Sequence, residues 1–206
     1  MAERIRGLYL VTPDAADSAT LLASVERVLP ARPALLQYRN KLADPLRQLD
    51  EARSLRQLCS SAGVPLIIND DVALARAVAA DGVHLGRDDG SPAAARAVLG
   101  ADALIGVSCY DEWARAEDAA AAGADYVAFG AMFPSSTKPG AVRAPLTLLT
   151  RARAALDCPV AAIGGITLDN APALIEAGAD LLAVISDVFA AADPLQRALA
   201  YSALFA

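Results

Sequence analysis

The chain has 206 residues, of which 55% are apolar and 20% charged, the profile of a globular protein able to bury a substantial core. Its net charge of -6 and isoelectric point near 4.7, with no basic run, have the wrong sign for a protein that lives on DNA, RNA or anionic lipid. No stretch of 18 consecutive apolar residues occurs, which excludes a membrane-spanning helix. Cys59, Cys109 and Cys158 are widely spaced and fit no zinc or redox motif, so they read as buried thiols in a reducing cytoplasm. The opening MAERIRG carries an acid among its basic residues, and the apolar LYLV after it stops at Thr12-Pro13, too short for the core of a signal peptide.

In chain order, short apolar runs bounded by turn residues predict strands at 8–12 (LYLVT), 34–39 (ALLQYR), 66–69 (LIIN), 82–86 (GVHLG), 104–108 (LIGVS), 125–130 (DYVAFG), 159–165 (PVAAIGG) and 180–186 (DLLAVIS). Between consecutive runs lie Ala-, Leu- and Arg-rich segments with helical spacing, as in Leu46, Leu49, Ala52, Leu55 and Leu58. The runs are mostly apolar at successive positions instead of alternating, as strands of a parallel sheet covered on both faces are. The same punctuation recurs before several of them, AGVP, AADGV, AGADY and AGADL, where Gly can end a helix in the left-handed conformation. Eight such units share the 206 residues at about 26 each, with no linker, charge block or low-complexity segment. This predicts one domain over residues 1–206, an α/β fold closed as a single (β/α)8 TIM barrel with a parallel eight-stranded core; an open doubly wound sheet is the competitor. A barrel places its chemical groups at the carboxyl ends of the strands, on one face.

Those ends carry Gln37, Arg39 and Lys41 after the second run, Asn69 and Asp70 after the third, and Asp89 after the fourth. The later ends carry Ser108, then Ser135, Ser136, Thr137 and Lys138, then Gly164-Gly165, and finally Ser186. In a barrel Asp70 and Asp89 sit on adjacent strand tops. Two unit charges about 4 Å apart repel by roughly 4 kcal/mol at an effective dielectric of 20, so a cation between them, or a proton on one, is required. Oxygen ligands without thiolate or clustered histidine favour Mg2+, one per active site, over zinc. The bland alternative is that both aspartates cap the Ala-rich helices that follow. Arg39, Lys41 and Lys138 are isolated cations around this acidic centre, which points to a polyphosphate; a pyrophosphate so held is also a good leaving group. AIGGI at 162–166 and AVIS at 183–186 suggest a second anion site, against the alternative of a tight strand-to-helix turn. His84, the only histidine, reads equally as a hydrogen-bonded structural residue or a pocket contact.

In order along the chain, LYLVT, LLQYRNK, INDD, DGVHLGRDD, IGVS, DYVAFGAMFPSSTK, AIGGI and AVIS resemble the thiamine phosphate synthase family over nearly the whole length. The resemblance implies a (β/α)8 barrel that condenses hydroxymethylpyrimidine diphosphate with a thiazole phosphate, or its carboxylated form, releasing pyrophosphate by a dissociative, magnesium-assisted substitution. It implies that Gln37, Tyr38, Arg39, Asn40, Lys41 and Asn69 hold the pyrimidine diphosphate with Ser108 and Lys138, and that Asp70 and Asp89 carry magnesium. Ser135, Ser136, Thr137, Gly165, Ile185 and Ser186 would hold the thiazole phosphate. Arg39, Lys41, Ser108 and Lys138 would assist the chemistry, with no protein nucleophile. The chain departs from the family at Ser135, at Asn40, where Glu is common, and at Arg87, where Gln is common. A thiazole tautomerase would lack the aspartates and the cation clamp and would carry a histidine after GxS, where this chain has Cys109; a non-catalytic phosphate-binding barrel would show degenerate charged positions. Small-molecule substrates are the expected partners, without nucleic acid or membrane, and the Ala/Leu helix faces are compatible with a homo-oligomer.

Overall fold

The computed structural model describes residues 4–134, 140 and 142–206. Eight parallel strands pair in chain order: β1 (Gly7–Val11), β2 (Leu35–Tyr38), β3 (Leu66–Asn69), β4 (Gly82–Leu85), β5 (Leu104–Tyr110), β6 (Tyr126–Phe129), β7 (Val160–Ile163) and β8 (Leu181–Val184). The ladder between β8 and β1 closes the barrel and excludes the open sheet. Helices α1 (Ser18–Val28), α2 (Pro45–Ala62), α3 (Val72–Ala77), α4 (Pro92–Leu99), α5 (Trp113–Ala121), α6 (Leu146–Ala155) and α7 (Ala171–Glu176) each follow a strand, and α8 (Ser186–Phe189) and α9 (Pro194–Ala203) follow β8. Each strand lies within two residues of its predicted bounds. Among the described residues no helix is long and apolar enough to cross a membrane.

Pleating sends alternate side chains to opposite faces. Tyr9, Val11, Leu35, Ile67, Tyr126, Ala161 and Leu181 pack inside the barrel, while Leu8, Leu10, Leu36, Ile68 and Val83 pack outward against the helices. Both faces are dry, which is why the strand sequences do not alternate in polarity.

Several helices begin by one device. Asp44, Ser91 and Asp193 each accept a backbone N–H from the first turn and are each followed by proline, whose fixed φ suits that turn. Helix α2 buries Glu51, Ala52, Leu55 and Cys59, with Leu49 and Leu58 half-buried beside them. Leu46, expected on the same stripe, is 77% exposed. It belongs to the first turn, which stands above the strand ends where no second layer covers it.

The punctuation before the strands has a structural meaning beyond its glycines. Asp81, Asp125 and Asp180 precede β4, β6 and β8, and their Oδ2 atoms accept from the backbone N–H of Leu66, Ile105 and Val160 at 2.7, 2.7 and 3.0 Å. Each of those nitrogens lies at the start of the preceding odd-numbered strand, Leu66 and Val160 being the first residues of β3 and β7 and Ile105 the second of β5. Arg56 of α2, Arg96 of α4 and Arg153 of α6 pair with the same three carboxylates. The amino-terminal end of the barrel is thus stitched by a thrice-repeated Asp–Arg unit, well away from the polar strand ends.

Candidate active site

A cavity of about 730 Å3 opens at the carboxyl ends of the strands. It exists because the interior residues at that level are small: Ala128 and Ala183, with Gly130 and Gly164 at the rim. Gln37, Asn69, His84, Ser108 and Tyr110 line one side, and Gly165, Ile185 and Ser186 line another. A narrower cleft of about 200 Å3 adjoins it, walled by Arg39, Asn40, Lys41 and Asp70; Arg39 and Asn69 border both spaces.

The turn after β2 is held from several directions. Thr12 Oγ1 accepts from the Arg39 N–H and donates to the Arg39 carbonyl, each at 2.8 Å. Asp14 accepts from the Lys41 N–H at 2.7 Å and from Arg39 Nη1 at 3.0 Å. Burial pushes the Asp14 carboxyl up, but the Lys41 N–H and then the Arg39 guanidinium outweigh it and hold the pKa below its ordinary value of 3.8. Behind the turn lies Glu51, 1% exposed. It accepts from Ser18 Oγ, Tyr38 Oη and Asn40 Nδ2 at 2.8, 2.7 and 3.0 Å, and Arg47 Nε lies 3.3 Å away as an ion pair without hydrogen-bond angles. Tyr38 and Asn40 therefore spend their polar atoms on this buried carboxylate, and Asn40 also donates to Ala15 O. Their side chains shape the Arg39–Lys41 turn from the outer side of the sheet, and both also border the cleft beside the cavity. The physical reason is parity: Tyr38 shares the outward face with Leu36, whereas Gln37 points inward.

Asp70 and Asp89 come together. Asp70 has φ +65, and its carboxyl pKa is raised by burial, then by a hydrogen bond with Asp89 and by the Asp89 charge, with Lys41 acting the other way. Asp89 Oδ2 accepts from the Gly86 N–H at 2.8 Å. A Cβ on Gly86 would lie 2.8 Å from Asp89 Oδ2 and 3.7 Å from Asp70 Oδ1, so both carboxylates gather over the same glycine. Neither aspartate caps a helix: α3 is capped by Asp71 and α4 by Ser91. The capping alternative is thereby removed.

A continuous chain of polar side chains crosses the barrel floor. Gln37 Nε2 donates to Tyr9 Oη, Tyr9 Oη meets Tyr126 Oη at 2.7 Å, Tyr126 Oη meets His84 Nδ1 at 3.0 Å, and His84 Nε2 meets Ser108 Oγ at 2.8 Å. The Tyr126 ring fits because residue 106 is glycine; a Cβ there would sit 2.0 Å from Tyr126 Cζ. Arg115 of α5 donates to the Ser108 and Gly86 carbonyls at 2.7 Å each, tying the end of β5 to the turn that holds Asp89. The Gly164-Gly165 turn receives the segment after β6, with the Phe133 N–H donating to Gly164 O at 3.0 Å.

The model of the family described as thiamine monophosphate synthase matches residues 8–188. The chain belongs to the thiamine monophosphate synthase family. It is 99% identical to the thiamine-phosphate synthase of Azoarcus sp. (strain BH72) over the full length of both, and 62% identical to that of Aromatoleum aromaticum over 98% of this chain and 97% of the relative. Among solved structures, a thiamine phosphate pyrophosphorylase from Pyrococcus furiosus superposes with a TM-score of 0.84 at 31% identity, covering 98% of this chain and 96% of that one. Of the residues expected to serve this family's chemistry, the structure brings Gln37, Arg39, Asn69, Ser108, Gly165, Ile185 and Ser186 to one cavity, and Tyr38, Asn40, Lys41 and Asp70 to the cleft beside it. Ser135, Ser136, Thr137 and Lys138 lie outside the described residues. Sequence reasoning missed Tyr9, Tyr126, Asp14, Glu51 and Arg115. Inward parity on β1 and β6 could have identified the two tyrosines; Asp14, Glu51 and Arg115 act behind the strand ends and left no strand-end signal.

Proposed function

We propose that this barrel joins hydroxymethylpyrimidine diphosphate to a thiazole phosphate, or its carboxylated form, giving thiamine phosphate and pyrophosphate by dissociative substitution. The chain is an enzyme of the transferase class, as its family membership and its highly identical relatives support. The observation that carries the reading is the meeting of Asp70 and Asp89 beside Lys41, at the edge of a cavity lined by Arg39, Asn69 and Ser108.

The donor set fits magnesium. Two hard carboxylates face each other, and no group of three His, Cys, Asp or Glu side chains that could hold a metal occurs among the described residues. Magnesium commonly takes one or two carboxylates and completes its octahedron with water and substrate phosphate oxygens. Asp70 and Asp89 would hold it, and when bound it supplies charge that neutralises the diphosphate as it departs.

The chain's own groups do the rest. Arg39 and Lys41 grip the diphosphate, and Arg39 can do so because Asp14 engages it through Nη1 alone. Ser108 offers a hydroxyl toward the departing oxygens, and Lys138, which follows β6 in the sequence, would add a cation. Gly165, Ile185 and Ser186, with Ser135, Ser136 and Thr137, hold the thiazole phosphate. The packed barrel interior beneath the cavity keeps water from the pyrimidine methylene cation, so that the thiazole nitrogen captures it. This reading includes a reducing cytoplasmic setting, supported by Cys59, Cys109 and Cys158 all being free thiols.

The test is to mix the protein with both substrates and magnesium and assay pyrophosphate and thiamine phosphate together. Equal release is expected, and pyrophosphate without thiamine phosphate, or neither, overturns the reading. Asp70→Asn or Asp89→Asn is expected to raise the magnesium needed for half-maximal rate or to abolish turnover; an unchanged magnesium titration defeats the metal assignment.

A further inference from the structure

The chain of side chains across the barrel floor has a direction. Its members come from five strands and are almost fully buried: Gln37 is 4% exposed, Tyr9 1%, Tyr126 0% and His84 7%. In such a setting each polar group takes a partner, and the protons can be counted along the row. Gln37 Nε2 has no lone pair and can only donate, so Tyr9 Oη accepts from it. Burial raises the pKa of both phenols, so each keeps its one proton. The Tyr9 proton, with the amide nitrogen on one side, is directed to Tyr126 Oη. The Tyr126 proton is then directed to His84 Nδ1, which must be the bare ring nitrogen. His84 Nε2 carries the ring proton and gives it to Ser108 Oγ. The hydroxyl proton of Ser108 is left over, on a residue that lines the cavity.

We propose that Gln37, Tyr9, Tyr126 and His84 form a one-way hydrogen-bond relay that holds His84 as its neutral Nε2–H tautomer and thereby makes Ser108 a donor into the cavity. Tyr9, Tyr126 and His84 are positioning residues that act through Ser108. The inference rests on the reaction proposed above in one respect, the use made of the donor. A departing diphosphate oxygen is an acceptor, and a Ser108 hydroxyl spent on His84 Nε2 would face it with lone pairs alone. Turning the Gln37 amide over, so that Oε1 faces Tyr9, would reverse every bond in the row and give the opposite tautomer. The two polarities are therefore distinguishable at one ring.

The chain contains a single histidine, so its imidazole is read without assignment. In 15N-labelled protein at about pH 8, where an ordinary histidine is neutral, long-range proton–nitrogen correlation is expected to show a protonated Nε2 and a bare Nδ1. A protonated Nδ1 with a bare Nε2, or an imidazolium, overturns the relay. This measurement needs no substrate, so its failure is separate from failure of the proposed reaction. The functional arm compares Tyr126→Phe in the native and Ser108→Ala backgrounds, with Tyr9→Phe as a second variant should Tyr126→Phe fold poorly. A loss of about fivefold in kcat with both KM values nearly unchanged is expected in the native background, and no further loss in Ser108→Ala. Equal losses in the two backgrounds mean that the tyrosines act on packing, and overturn the proposal.

Discussion

Asp14 never touches the cavity, yet it sets where two of the cations at its edge stand. Its carboxylate takes the Lys41 N–H and the Arg39 guanidinium at once, so removing it frees both the turn and the side chain. For Asp14→Ala the KM for the pyrimidine diphosphate is expected to rise roughly tenfold, the penalty of a loosened binding group, with the thiazole phosphate KM little changed. The same residue predicts a pH dependence. Its folded pKa lies below the ordinary 3.8, so its contribution to stability is complete above that value and fades as pH falls through the depressed one. Denaturant titrations of native and Asp14→Ala protein should differ by a constant amount from neutral pH down to about pH 4 and converge below it. A difference that grows on acidification would contradict the assignment. Asp70 and Asp89 were legible in the sequence because they follow strands β3 and β4, on the side where a barrel displays its chemistry. Asp14 and Glu51 were not, because they act from behind the display.

The elements were legible where a local pattern dictated them, and less so where the answer depended on which way a side chain faces. The eight apolar runs located the strands within two residues, since burial on both faces leaves a continuous hydrophobic signal. The same continuity hid the pleat, so Gln37 and Tyr38 were grouped although they point to opposite sides of the sheet. Capping shows a similar limit: INDD contains two adjacent aspartates, and the backbone gives the cap to Asp71 while Asp70 turns with positive φ toward Asp89. The repeated punctuation was read for its glycine, whereas its aspartate does the stitching. Asp125→Ala leaves the Ile105 N–H and Arg96 without their carboxylate and is expected to cost about 2 kcal/mol, the usual range for a charged hydrogen-bond partner. Urea unfolding measures it, and kcat and KM should stay at native values because the unit lies at the far end of the strands. A change in KM comparable to the loss of stability would show that the two ends of the barrel are not independent.

That independence is a property of the whole molecule, and it follows from how the interior is filled. At one level Leu35, Ile67, Tyr126, Ala161 and Leu181 pack together at full burial. At the next, Ala128 and Ala183 leave the space that becomes the cavity. Two alanines on neighbouring strands thus have opposite uses: Ala161 is small because its neighbours are large, and Ala183 is small because a ligand is to lie over it. Ala161→Leu adds volume to a closed layer and is expected to destabilise by about 1–3 kcal/mol, the usual cost of overpacking. Ala183→Leu adds the same volume where room exists, so its unfolding midpoint should stay near native while its KM for either substrate rises by about tenfold or more through lost cavity space. Thermal melts and steady-state kinetics on the two variants separate the cases. If Ala183→Leu lost stability and kept its KM, the hollow at the strand ends would be part of the core and the substrates would have to lie elsewhere.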